Sequence, residues 1–548
     1  MSYLKGLSMD LPLLISGINE HGATAHRQTT IVSYDLNGTR FEYSFEAMNR
    51  RSKQLAHALS ARGLGLGGRV ATLAWNTHRH LEVFYGATGI GSAIHTVNPR
   101  LTDEHLSYVL NEGGATVLFF DFDLLARVEG IAASLTSVEH FVVLEPAEAL
   151  PAVAGVSLQS YEDWLSGQPI EFDWPEFDER AASTICFTSG TTGLPKGVVY
   201  SHRATVLQTM TFTSMGWLPP PRKGPPVLCA VAPMFHSNAW NFPFGALYAG
   251  AKLVLPGRNL APEVILQLLR REAVTCVAMV PSILTNVVEL VRADGGDLGR
   301  LEAVVTSGAG AAPSLISWLN ERDITTTHSW GMTEVMFGTS GALMSCHADL
   351  PTAEKLPWLL KDGRQSALTR LRIVDDEGKP LPHDGVARGH LRVRGLWAMT
   401  GYLNGPEGAA LDSDGWMITG DIATIDADGY LKIVDRDKDL IKSGGEWISS
   451  SDLEKAALSH PDVVGAAAIA VPHPKWQERP LLLVQIRAGA TAGREAILAL
   501  MAGQVAKWWL PDDIVVVDSF PLNATGKIRK ADLRLEWANH YTLSQASA

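Results

Sequence analysis

Through roughly the first 430 residues one pattern of apolar and polar positions recurs: an amphipathic stretch at helical spacing, then a short aliphatic or β-branched run ending in small residues. This alternation predicts an α/β fold. In APEVILQLLRREA (261–273) the spacing sets Val264, Ile265, Leu268 and Leu269 on one helical face, and TCVAMVP follows as a strand. LEAVVTS (301–307) and DITTTHS (323–329) read as strands that run into glycine-containing loops, the places where α/β sheets hold ligands. Near residue 435 the texture changes. A compact tail of about 110 residues follows, with VVGAAAIAV, LLLVQIR and DDIVVV as strands and Ser451 with Glu454 as a capping box that starts a helix. The chain is therefore expected to form a large N-terminal domain over 1–435, built of α/β subdomains with mixed sheets. A charged hinge at 436–438 joins it to a small α+β domain over 439–548.

Composition narrows the classes. The 548 residues are 46% hydrophobic and 19% charged, which excludes a disordered polyelectrolyte, and no internal repeat or low-complexity tract is visible. Lys and Arg number 46 against 58 Asp and Glu, a net charge of −12, so the mean field repels nucleic acid and anionic membranes, and no basic patch stands out along the chain. Cys186, Cys229, Cys276 and Cys346 lie far apart and read as reduced core thiols. The amino terminus lacks a secretory pattern and no apolar run approaches the ~18 residues of a membrane helix, so the expected compartment is the cytoplasm, with peripheral membrane contact left open. GWLPPPRKGPPV (216–227) is expected to be a surface loop.

The strongest chemical signal is STICFTSGTTGLPKGVVYSH (183–202), an apolar strand followed by a loop rich in Thr, Ser and Gly. Gly190 and Gly193 let backbone N–H groups approach phosphate oxygens, Thr188, Ser189, Thr191 and Thr192 add hydroxyls, and Lys196 adds positive charge. The loop suits a polyphosphate. It is not a Walker A motif, because Lys196 is preceded by Pro195 and followed by Gly197.

At this string the sequence resembles the adenylate-forming superfamily of acyl-CoA synthetases, peptide-synthetase adenylation domains and firefly luciferases. Further motifs recur in the family's order: PMFHSNAW (233–240), SGAGAAP (307–313), SWGMTE (329–334), TGD (419–421), DRDKDLIKSGGEWIS (435–449) and PLNATGKIRK (521–530). HSNAW and SGGEWIS are most similar to the medium- and long-chain fatty acyl-CoA ligase branch, which also holds methylmercaptopropionate ligases. The resemblance implies that ATP and CoA are co-substrates and that Mg²⁺ is bound by Glu334 and Thr191, hard oxygen ligands suited to that ion. It implies that Lys527 bridges the attacking carboxylate and the α-phosphate, in a cleft where two anions must approach one another. Asp421 would accept from the ribose hydroxyls with Arg436 beside it, Gly308, Ala309 and Gly310 would pass close to adenine, Trp330 would stack on the base, and Gly331, Met332 and Thr333 would complete the nucleotide contacts.

The second half-reaction needs a path for pantetheine. The resemblance implies that the small domain is mobile and swivels at Lys438, and that Ser443, Gly444, Gly445, Glu446 and Trp447 line the CoA tunnel. His236 would move aside for the acyl carbonyl, and Trp240 would gate an apolar acyl tunnel. Taken together these readings give an AMP-forming carboxylate:CoA ligase for a medium- or long-chain fatty acid, with a homodimer as a further implication of the family. Aryl-alkanoic or methylthio-alkanoic acids, a module loading a carrier protein, a luciferase-like oxygenase and a non-catalytic nucleotide-binding protein stand as alternatives.

Overall fold

The computed structural model describes residue 4 and residues 6–541, apart from 146–149, 154, 189–193, 215–220, 445, 488, 491–492, 522–527 and the side chain of Glu446. By packing it falls into two compact units, 1–188 with 195–369 and 394–411, and 189–194 with 370–393 and 412–548. The hinge expected at 436–438 lies inside the second of these.

The first unit is built on two seven-stranded sheets. Its strands in chain order are β1 (Thr30–Tyr34), β2 (Arg40–Ser44), β3 (Arg69–Leu73), β4 (Ala93–Val97), β5 (Val117–Phe120), β6 (His140–Val143) and β7 (Leu158–Ser160), then β8 (Ala182–Phe187), β9 (Gly197–Ser201), β10 (Val227–Ala230), β11 (Lys252–Leu255), β12 (Cys276–Ala278), β13 (Ala303–Ser307) and β14 (Thr325–Ser329). One sheet runs β7-β6-β5-β3-β4-β8-β9 and the other β14-β13-β12-β10-β11-β1-β2. In each, six parallel strands are closed by one antiparallel strand at an edge, β9 on β8 in the first and β2 on β1 in the second. The sequence shows no repeat, yet the topology is a repeat, because strand order is set by connection rules that many sequences satisfy.

The inner strands, such as β5 (VLFF) and β10 (VLCA), are continuous apolar runs because both faces are covered, whereas β2 (RFEYS), β7 (LQS) and β14 (TTTHS) lie at sheet edges and are more polar. One core joins the sheets: Val70, Ile94 and Val117 face Leu228, Leu253 and Ala278 across Phe45, Leu55, Phe84 and Leu247 of the intervening helices. The far face of the second sheet packs Val277 and Val304 under the helices Pro262–Arg271 and Pro281–Asp294. In Pro262–Arg271 the buried set is Ile265, Leu266, Leu268 and Leu269, whereas Val264 is only half-buried, so the apolar face is rotated from the expected one toward Leu266. Cys186, Cys229 and Cys276 are buried thiols as expected, but Cys346 is exposed, because it sits in the short surface helix Ser345–Ala348, which buries no residue.

After the two-residue strands β15 (Thr339–Ser340) and β16 (Arg364–Gln365) come β17 (Thr369–Val374), β18 (Gly389–Gly395), β19 (Met417–Ile425) and β20 (Leu431–Arg436), which form a four-stranded sheet. A last sheet is made of β21 (Ile441–Ser443), β22 (Glu446–Ile448), β23 (Val463–His473), β24 (Gln477–Ile486) and β25 (Asp513–Val516). Its faces carry Leu453, Ala456 and Ile497 on one side and Leu533 with Tyr541 on the other. The helix Ser450–Leu458 is capped two residues earlier than expected: Ser449 Oγ accepts from Asp452 N at 3.0 Å, and Glu454 turns inward instead of closing a capping box with Ser451.

Candidate functional site

The phosphate-type loop leaves β8 and returns on β9. Thr191, with Ser189, Gly190, Thr192 and Gly193, lies outside the described residues, but the flanks are fixed. Thr188 N donates to Lys196 O at 2.9 Å and Lys196 N donates to Thr188 Oγ1 at 3.2 Å, so the strand ends clamp the base of the loop. Lys196 is exposed, and its Nζ stands 4.9 Å from the centre of the Tyr402 ring. Behind it Gly197 O accepts from Leu403 N at 2.8 Å, which holds Tyr402 in place.

Tyr402 joins Lys196 to Glu334. The carboxylate of Glu334 is 9% exposed, accepts from Tyr402 Oη at 2.9 Å and pairs with no cation among the described residues. Its backbone is pinned from two sides: Met399 N donates to Glu334 O at 2.9 Å, and Tyr200 Oη donates to Thr333 O at 2.7 Å. One hard, nearly buried carboxylate without a cation of its own fits Mg²⁺, which takes one or two protein carboxylates together with water and substrate phosphates. Sequence reasoning did not single out Tyr402, because a tyrosine in TGYL carries no chemical signature until the fold sets it beside Glu334.

Gly308, Ala309 and Gly310 follow β13 and are exposed, with φ +85° at Gly308 and Ala309 O 3.1 Å from His328 Nε2. Trp330 follows β14 and is 7% exposed. Its ring packs on Gly338, where a Cβ would come within 2.1 Å, and a Cβ on Gly331 would come within 2.0 Å of Met336 O. Both glycines are required by close approach. Met332 is half-buried and Thr333 buried.

His236 and Trp240 occupy an unusual backbone. Ser237, Asn238, Ala239, Trp240 and Asn241 all have positive φ, between 45° and 68°, a left-handed turn made without glycine. Each such residue costs about 1–2 kcal/mol. The turn is held by Ala239 N donating to Pro233 O at 3.1 Å and by Thr209 Oγ1 donating to Asn241 Oδ1 at 3.1 Å. Trp240 is 5% exposed within the core that also holds Phe212 and Phe337, and His236 is half-buried.

In the second unit β19 and β20 place Asp421 opposite Arg436, and Arg436 Nε stands 2.7 Å from Asp421 Oδ1. The carboxylate is 1% exposed while the guanidinium faces outward. Beside this pair the structure gives Asp435 a task. Asp435 Oδ2 accepts from Ser450 N and Ser450 Oγ, both at 2.6 Å, at the start of the helix Ser450–Leu458. Lys530 Nζ donates to Ser450 Oγ at 2.7 Å and stands 2.6 Å from Glu454 Oε1. Burial would lower the Lys530 ammonium, but Glu454, Asp435 and Asp439 outweigh it and raise its pKa. This chain ends three residues from Lys527, which lies outside the described residues, and Pro521 O accepts from Arg529 N at 2.8 Å across the base of that segment.

Lys438 is exposed, and its neighbour Asp439 is tied to Arg534 at 2.6 Å. Ser443 is buried and its Oγ accepts from Arg479 Nη1 at 3.2 Å; Gly444 has φ +60° and donates its N–H to Trp476 O at 2.9 Å. Gly445 and the side chain of Glu446 are outside the described residues. Trp447 packs on Ile422, Val434 and Leu440 and meets His390 edge-on at 6.2 Å.

No helix among the described residues is long and apolar enough to cross a membrane. Residues 19–403 match the model of the AMP-binding enzyme family and 452–527 that of the AMP-binding enzyme C-terminal domain. The chain is 42% identical to a 3-methylmercaptopropionyl-CoA ligase of Ruegeria lacuscaerulensis, over 98% of this chain and 99% of the relative. It is 39% identical to a medium-chain-fatty-acid–CoA ligase of Ectopseudomonas oleovorans, over 99% of each. Among solved structures, an anthranilate CoA ligase in complex with anthranoyl-AMP has a TM-score of 0.83 at 23% identity, covering 96% of this chain and 98% of that one. ATP-bound MatB of Rhodopseudomonas palustris has a TM-score of 0.80 at 23% identity, covering 97% and 100%. These two likenesses show the fold. Together with the family models and the end-to-end relatives, they establish that the chain belongs to the AMP-binding enzyme family, the adenylate-forming acyl-CoA ligases whose motifs it carries.

Proposed function

We propose that this protein joins an apolar carboxylic acid to coenzyme A in two steps, with ATP split to AMP and pyrophosphate. In the first step a carboxylate oxygen attacks the α-phosphorus and pyrophosphate leaves, giving the acyl-adenylate. In the second the CoA sulfur, having lost its proton, attacks the acyl carbon and AMP leaves. The observation that carries this reading is the run from Lys196 through Tyr402 to Glu334: a cation for phosphate oxygens and a carboxylate for a metal, fixed by one phenol ring. Mg²⁺, held by Glu334 and Thr191, would neutralise charge on the departing pyrophosphate. Asp421 and Arg436 would hold the ribose, and Lys527 would bring its ammonium to the attacking carboxylate, with Lys530 anchoring the segment behind it.

A medium- or long-chain fatty acid is the first choice of substrate. A methylthio-alkanoic acid is the second, favoured by the relatives at 42% identity that are named for such a ligase. A cytoplasmic location and a homodimer belong to the same reading. The test is AMP release from ATP with free CoA across fatty, methylthio-alkanoic and aryl-alkanoic acids. AMP and pyrophosphate with one class preferred at least tenfold is the expected result, and formation of ADP with every acid would overturn the reaction.

A further inference from the structure

The net charge of −12 and the even spread of basic residues along the chain give no hint of a cationic site, but the fold gathers one. A groove of about 420 Å³ in the second unit is lined by Arg388 from the start of the β18 region, Lys432 from β20, Asp452 and Lys455 from the helix Ser450–Leu458, and Gln504 with Trp509 from the stretch after the helix Arg494–Met501. Three positive side chains face one negative one. None of the three forms an ion pair with a carboxylate among the described residues, although Asp452 lines the same groove. Such an arrangement is unfavourable by itself, since like charges are held together without a counter-ion.

Two further groups point to what would fill it. Trp509 is 9% exposed, and the Arg388 guanidinium lies 5.2 Å from the centre of one of its rings, which holds that cation at the groove. Gln504 spends its Oε1 on Ser459 Oγ at 3.2 Å, which turns its amide N–H₂ into a donor. The groove thus offers donors and positive charge almost throughout, and its volume falls in the range of small-molecule sites.

We propose that this groove is a binding site for a phosphate-bearing small molecule, separate from the ATP site. Arg388 and Lys455 grip the phosphate oxygens, Lys432 adds field, and Asp452 accepts from a hydroxyl or amine on the ligand. Arg388 and Lys432 precede residues 436–438, and Lys455, Gln504 and Trp509 follow them. A ligand seated here ties together the two stretches of chain on either side of the expected hinge, so it would favour this arrangement over any other. The chemistry fits a nucleotide-linked phosphate and a free polyphosphate alike.

The test is titration calorimetry of the full-length protein saturated with a non-hydrolysable ATP analogue, using adenosine 3′,5′-bisphosphate and inorganic pyrophosphate as separate probes. At least one is expected to bind, more weakly as salt is raised, and tighter binding of one over the other identifies the source. The double variant Arg388→Ala/Lys455→Ala, at exposed positions, should weaken that binding at least tenfold and leave AMP-forming activity without the probe unchanged. Trp509→Phe, which keeps a smaller ring beneath Arg388, should weaken it less. Absence of heat from both probes, or heat that the double variant leaves intact, overturns the proposal. The acid panel is unaffected by either outcome, so failure here is distinct from failure of the ligase reading.

Discussion

Tyr402 shows how one side chain can serve two charged groups at once. Its hydroxyl fixes Glu334 and its ring face receives Lys196, so Tyr402→Phe removes the first link and keeps the second. A hydrogen bond to a charged group contributes about 1.5–3 kcal/mol. Tyr402→Phe is expected to slow acid-dependent pyrophosphate exchange about 10- to 100-fold and to raise the Mg²⁺ concentration needed for half-activity, measured with the melting temperature unchanged. His95 is a case of the opposite kind. It is fully buried, both ring nitrogens lack partners among the described residues, and burial lowers its pKa to about 3 from 6.5. A lowered folded pKa means the unfolded chain takes up the proton first, so stability is lost as pH falls below 6.5 and continues to fall toward 3. His95→Leu, which removes the titration, should be stabilised relative to the parent by about 2 kcal/mol more at pH 5 than at pH 8 in denaturant unfolding. Neither role could be read along the chain. Asp421 and Arg436 could be named from their motifs because a motif fixes residue type and order. Tyr402, which binds Glu334, Asp435, which binds the helix start at Ser450, and Lys530, which pairs with Glu454, are brought to their places by tertiary folding, which no local pattern records.

At the scale of elements, the sequence marks apolar period well and special backbone poorly. β12, β13, β14, β23, β24 and β25 all fall on runs whose β-branched content predicts strands. The sequence does not locate the capping residue, because Ser449, Ser450 and Ser451 are chemically alike; Asp435 takes the Ser450 N–H and hydroxyl, and Ser449 is the cap. The left-handed turn 237–241 is invisible in HSNAW, since no glycine announces it. Its strain predicts a contrast at Ala239, where φ is 52°. Glycine would relieve about 1–2 kcal/mol of strain but lose about 0.8 kcal/mol of buried methyl and add freedom to the unfolded chain. Ala239→Gly should therefore lie near neutral, while Ala239→Val, branched and overpacked, should cost about 2–4 kcal/mol. Unfolding midpoints of the two variants check this, and equal destabilisation by both would mean the turn is not strained.

For the whole molecule, the alternation of helix and strand predicted α/β architecture with mixed sheets, and that is what forms. The family's two half-reactions place Lys527 and Lys438 on different steps of the proposed cycle. Lys527→Ala is expected to abolish acyl-adenylate formation, by at least 100-fold in pyrophosphate exchange, and to leave thioester formation from supplied acyl-adenylate largely intact. Lys438→Pro, which locks a backbone torsion, should do the reverse. Stopped assays of each half-reaction separate the two, and equal loss of both steps in either variant would sink the assignment.

The two seven-stranded sheets borrow their closing hairpins from opposite places in the chain. β8 and β9 lie just after the strands they complete, so that sheet has all its members once Ser201 has been made. β1 and β2 come first but pair onto β11, whose last residue is Leu255. During synthesis the opening hairpin emerges with a ready edge and no partner for about two hundred residues, an interval of roughly 10–40 s at the usual pace of translation. This hairpin is thus made long before its seat exists, and it is the stretch that must be shielded from neighbours on the polysome.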